Sequence, residues 1–145
     1  MNILQVNVSR LIQLPLVEST DTFLGGFWQW VNLLAQGHYA QAVESLYWQR
    51  PPIDPGVLKQ RITTSFGGPD PFVPVIPNER LVRLINENAE VSWANGEGWG
   101  LAQIPVTTSP ERCKDDDVPL MGLAASFHIR RTQHVYVLEF EIFHA

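Results

Sequence analysis

Two stretches late in the chain, 121–131 and 135–143, alternate apolar and polar residues so regularly that they constrain the fold more than any other feature. A tight turn at Thr132-Gln133 sets Ile129 opposite Tyr136, Phe127 opposite Leu138, Ala125 opposite Phe140 and Leu123 opposite Ile142, every pair apolar and on one face. The other face then receives Ala124, Ser126, His128 and Arg130 against Glu141, Glu139, Val137 and Val135. A slip of one residue would turn every apolar side chain to the wrong side, so the pattern specifies an antiparallel hairpin.

Upstream, period-two signals predict further strands over 81–85, 90–94 and 100–107, with Asn95-Gly96-Glu97-Gly98 as a turn. Helical signals come earlier. Ser19-Thr20-Asp21 supplies cap residues ahead of Phe23, Leu24, Phe27, Trp28, Trp30, Val31, Leu33 and Leu34, and Gly37 is a stop. That apolar set covers more than one face, so the helix is expected to be buried from several sides. Gly25-Gly26 costs about 1 kcal/mol per residue against alanine inside a helix. Either the helix begins after them or something packs closely there. Tyr39, Ala42, Val43 and Leu46 predict a second helix running up to Pro51-Pro52. Asp54 and Pro55 open a third, with Leu58, Ile62 and Phe66 as its stripe and Gly67-Gly68 as its end. Residues 67–78 carry four prolines and read as an extended connector within one domain, 1–145. Residues 1–18 alternate too loosely to assign. The order, helices first and an antiparallel sheet after, predicts an α+β fold.

A net charge of −5, with Lys59 and Lys114 as the only lysines, argues against nucleic-acid binding, which needs clustered cations. No apolar run is long enough for a membrane span, and the N-terminus lacks the form of a signal peptide. The single cysteine, Cys113, fits a reducing compartment. The expected setting is cytoplasmic, in a protein of bacterial style.

Candidate sites are few. His128 and Arg130 share a sheet face with Glu139 and Glu141. This cluster could bind an anion or perform acid–base work, but the preferred reading is a half-solvated sheet face with weak cross-strand ion pairs, which is how antiparallel sheets look by default. Asp115-Asp116-Asp117 lacks the spacing of a calcium loop, and the four histidines and Cys113 lack zinc spacing, so no metal, cofactor or catalytic residue is assigned. Five tryptophans and three tyrosines in a chain of this size are harder to pass over. Core packing accounts for most of them. The alternatives are a partner or dimer surface and a pocket between the first helix and the sheet, lined by some of Trp28, Tyr39, Trp48, Trp93, Trp99 and Tyr136.

The run Phe27-Trp28-Gln29-Trp30-Val31-Asn32-Leu33-Leu34-Ala35-Gln36-Gly37-His38-Tyr39-Ala40-Gln41-Ala42 resembles the NTF2-like (cystatin-like) superfamily. In that family an apolar helix commonly ends in glycine, then a polar residue and an aromatic, before a helix resumes with alanine. The final strand, 135–145, and the stretch 99–108 are similar to strands of its small bacterial members. The resemblance implies helices on a curved, cone-shaped antiparallel sheet. Isomerases of the family use an aspartate base and a tyrosine in the cone, whereas the aspartates here fall in caps and loops. The expected function is therefore a non-enzymatic module that binds a protein partner or forms a homodimer. A binder or enzyme for a small apolar ligand is the alternative.

Overall fold

The computed structural model describes residues 3–63, 73–74, 79–93, 98–105, 107–108 and 124–144. After β1 (Ile3–Leu4) and an extended segment come α1 (Thr20–Ala35), α2 (Tyr39–Glu44) and α3 (Pro55–Thr63). Then follow β2 (Val73–Pro74), α4 (Glu79–Asn88), β3 (Glu90–Trp93), β4 (Trp99–Pro105), β5 (Thr107–Thr108), β6 (Ala124–Thr132) and β7 (Tyr136–His144). The fold is α+β.

Helix α1 begins where its caps direct: the Ser19 hydroxyl accepts a hydrogen bond from the Thr22 amide at 3.1 Å. It ends at Gly37, whose φ of 77° is cheap only for glycine. The amide of His38 reaches the Leu33 carbonyl at 2.9 Å and that of Gly37 reaches Leu34 at 3.0 Å, which satisfies two orphan carbonyls. Both glycines of the Gly25-Gly26 pair lie inside the helix. A Cβ on Gly26 would sit 2.8 Å from Leu14 Cδ1, so a close approach of the N-terminal segment explains that residue. As expected, α1 is buried from several sides, with Phe23, Leu24, Phe27, Trp28, Trp30, Val31 and Leu34 all in the core.

In α3, the Asp54 carboxylate accepts from the amides of Gly56 and Val57 at 2.9 and 3.3 Å, and Leu58 and Ile62 are buried. Phe66 and Gly67-Gly68 lie outside the described residues, as does most of the proline-rich connector. Its Val73–Pro74 pairs with Thr107–Thr108 in a separate two-stranded ladder. Helix α2 is shorter than expected. It stops at Glu44, and Tyr47 leaves to bond the outer edge of β7, its amide on Leu138 O at 2.8 Å and its carbonyl on the Phe140 amide at 3.3 Å. Residues 81–85, expected as strand, belong to α4. The apolar positions 81, 82, 84, 85 and 89 fit a spacing of three to four, and a five-residue window cannot distinguish the two periods.

The main sheet places β3, β4, β6 and β7 side by side, all antiparallel, with β1 parallel to β6 at Ile3↔Arg131 and Leu4↔Thr132. The expected sorting of faces holds for most of the β6–β7 hairpin, but its register differs by two. Ile129 faces Leu138 and Phe127 faces Phe140. The turn residues are Gln133-His134, because the Thr132 hydroxyl both donates to the Val135 carbonyl (2.8 Å) and accepts from its amide (3.2 Å). A shift of two preserves faces, so alternation cannot detect it. Beyond Phe127 the ladder takes a bulge with Glu141 as the extra residue: Ser126 faces Ile142 and Ala125 faces Phe143. Phe143 therefore joins the core, its ring 4.8 Å from Phe140, and Ile142, expected inside, is 49% exposed. Leu123 lies outside the described residues.

Helix α1 covers the apolar face. Phe23 packs 5.5 Å from Tyr136 and 5.7 Å from Trp99, and Phe27 and Trp30 lie 6.1 and 5.2 Å from Phe127. The space between helix and sheet is filled by interlocking rings.

Candidate functional site

Of the six aromatic residues expected around one pocket, Trp28, Tyr39, Trp48, Trp99 and Tyr136 pack in or against the core. Trp28 is buried and donates its indole N–H to Asn86 Oδ1 of α4 at 2.8 Å. Trp48 donates to the Val43 carbonyl at 2.9 Å and packs on Phe140. Tyr39 is half-buried at the start of α2, and burial raises its hydroxyl pKa. Trp99 and Tyr136 both pack on Phe23, their rings 5.7 and 5.5 Å from its own. The side chain of Trp93 lies outside the described residues, and its backbone pairs with Trp99.

At the Trp99–Tyr136 corner stand polar groups that no local pattern announced. The buried Tyr136 hydroxyl donates to Glu18 Oε1 at 3.2 Å. Its pKa is raised, first by burial and then by the charge and hydrogen bond of Glu18, against a smaller lowering by Arg131. Arg131 Nε is buried and makes no hydrogen bond within the described structure. Glu18 and Arg131 are far apart in sequence from each other and from Trp99, so only the pairing of β6 with β7, and of Leu14 with Tyr136, brings them together.

The cluster on the other face does assemble. Arg130 Nη1 meets Glu139 Oε2 at 2.7 Å, and His128 Nε2 lies 3.4 Å from Glu141 Oε2. The solvated character expected of it holds for only half of it. The Arg130 and Glu139 side chains are 19% and 9% exposed, those of His128 and Glu141 30% and 47%. Residues 47–50 produce the difference. Gln49 Nε2 donates to Glu139 Oε2 at 3.2 Å, the Tyr47 ring lies 6.0 Å below the Arg130 guanidinium, and Arg50 donates to the Glu141 carbonyl. The alternation Tyr47-Trp48-Gln49 straddles the edge of β7, with the indole on the ring-filled face and its neighbours on the charged one. Arg130 and Glu139 form a closed, mutually satisfied pair, and the bulge carries Glu141 to His128.

The N-terminal segment joins the two edges of the hairpin. At one level across the sheet, Ile3 pairs with Arg131, Arg131 with Tyr136, and Tyr136 with Leu14, whose amide and carbonyl both bond it at 2.9 Å. The amide of Ile12 adds a bond to the Ser45 carbonyl at 2.9 Å. Although its backbone is held at these points, Ile3, Val6, Leu16 and Val17 are 50%, 36%, 38% and 53% exposed. Beside the segment lies an open groove of about 530 Å³, walled by Arg10 and Leu11 on one side and Val43, Glu44, Leu46 and Trp48 on the other.

Among the described residues no group of three histidine, cysteine or acidic side chains could hold a metal ion, and no helix is long and apolar enough to cross a membrane. Cys113 and Asp115-Asp116-Asp117 lie outside them. No protein-family model, curated protein or solved structure matches this chain.

Proposed function

We propose that this chain is a cytoplasmic interaction module of the NTF2-like kind that binds a protein partner, or a second copy of itself, through its N-terminal segment. The observation that carries the reading is that four large apolar side chains of this segment, Ile3, Val6, Leu16 and Val17, are exposed while its backbone is held at Ile3 to β6, at Ile12 to residue 45 and at Leu14 to β7. Apolar side chains held out on ordered backbone offer a surface whose burial is favourable, at little further cost in chain entropy. The single cysteine supports the cytoplasmic setting.

The test combines sedimentation of the purified chain with affinity capture, each repeated on a Leu16→Asp, Val17→Asp variant whose fold is checked by circular dichroism. Association lost in the folded variant supports the reading. A monomer that captures nothing in a Val17-dependent manner refutes it.

A second reading, a site for a small ligand, draws on the Trp99–Tyr136 corner, where Glu18 and Arg131 place charge beside aromatic rings. Titration with small aromatic carboxylates, followed by tryptophan fluorescence in the wild type and Tyr136→Phe, would support it if binding depended on the hydroxyl. Unaltered fluorescence throughout would remove it.

A further inference from the structure

Building on the interaction-module reading, we propose that the occupant of the N-terminal surface is a second copy of this chain, with Leu16 and Val17 of each copy seated in the groove of the other across a two-fold axis. The two surfaces match in character. Leu16-Val17-Glu18 offers two exposed apolar side chains followed at once by an exposed carboxylate. The groove offers the partly exposed Leu11 and Trp48 over the buried Val43 and Leu46, with Arg10 and Glu44 beside them. Arg10 is available for exchange. Its contact with Glu44 is 3.6 Å long between side chains 77% and 55% exposed, a pairing of small worth in water. Glu18 keeps an oxygen for it, since only Oε1 accepts the Tyr136 hydroxyl. A carboxylate that exchanges solvent for a guanidinium at the edge of an apolar contact gains specificity as well as attraction.

The chain connectivity supplies the rest. Arg10 and Leu11 on the groove wall and the projecting Leu16 and Val17 belong to one short stretch, tied between them at Ile12 to Ser45 and at Leu14 to Tyr136. Their separation is thus fixed by backbone hydrogen bonds. A closed two-fold contact requires each copy to carry both halves of the match, and this stretch does.

Sedimentation velocity over a concentration series would test the pairing on the full chain, comparing wild type, Arg10→Glu, Glu18→Arg and the double reversal. The expected result is a wild-type dimer, at least about tenfold weaker in each single variant, or ~1.4 kcal/mol, with most of the affinity restored in the double variant. Val17→Asp, at a side chain more than half exposed, should dissociate the dimer with the fold intact. It serves as the deciding variant should Glu18→Arg unfold the chain by losing Tyr136. A wild type monomeric at every concentration, a dimer indifferent to the reversals, or a double variant weaker than both singles would each overturn the proposal. Loss of a different protein's binding by Val17→Asp in a monomeric chain would overturn it too, yet leave the interaction-module reading standing. No Val17-dependent association of any kind would end both.

Discussion

The two faces of the β6–β7 hairpin are built from the same alternating residues and held by different physics. Toward α1 stand Phe127, Ile129, Tyr136 and Leu138, all buried, whose stability comes from filling volume with rings. On the opposite face Glu139 is buried and Arg130 partly so, their side chains 9% and 19% exposed, and there the requirement is mutual neutralisation. The first face tolerates no loss of volume. The second, at its Arg130–Glu139 pair, tolerates no loss of a single partner. Burial alone is therefore a poor guide to what a position requires.

Removing volume should have the largest effect. Phe127→Ala deletes a ring that touches Phe27, Trp30 and Phe140, and should cost about 3–5 kcal/mol in denaturant unfolding. On the charged face, Glu139→Ala should cost about 2–3 kcal/mol by leaving Arg130 without its carboxylate, whereas replacing the pair together, Arg130→Met with Glu139→Leu, should recover most of that loss. Equal losses from the single and double changes would mean that the two faces obey one rule after all.

The helix side can be probed more finely. Gly25→Ala meets no atom within 4 Å and should stabilise the chain by about 0.5–1 kcal/mol. Gly26→Ala should forfeit that gain, because its Cβ would displace the buried Leu14. Also on the face toward α1, Tyr136→Phe tests a pH dependence. A pKa raised in the folded state stabilises the fold below the ordinary tyrosine value of about 10. That contribution is lost as pH rises through the folded value. Alkaline melts should therefore fall less steeply for the variant, with Tyr39, also raised, accounting for part of what remains. The smallest effect is expected at His128→Gln, within about 0.5 kcal/mol, since its pairing with Glu141 is long and well exposed.

How much of this was legible beforehand differed along the chain. The α+β class, the capped start of α1 and the sorting of most hairpin residues followed from local signals, because a period of two and a cap are local properties. The register did not, since moving the turn from Thr132-Gln133 to Gln133-His134 keeps every face and is decided by one threonine hydroxyl. The bulge was equally hidden. Ile142 and Phe143 are both apolar, so composition cannot say which of them the extra residue turns inward. For the candidate site, the sharing of a face by His128, Arg130, Glu139 and Glu141 was readable. The cover over it was not, because nothing near Tyr47 or Gln49 in sequence announces a partner on β7. Glu18 and Arg131 were missed for the same reason. Composition marks the six aromatic residues by their abundance and gives them no direction.

The row Ile3, Arg131, Tyr136, Leu14 has a consequence for the order of assembly. Residues early in the sequence flank a hairpin formed late in it, so their docking must wait until that hairpin exists and must close very long loops. The N-terminal segment should then join the structure last in refolding. In hydrogen exchange it should be the first part of the native molecule to open, its amides at Ile12 and Leu14 exchanging well ahead of those in the β6–β7 ladder.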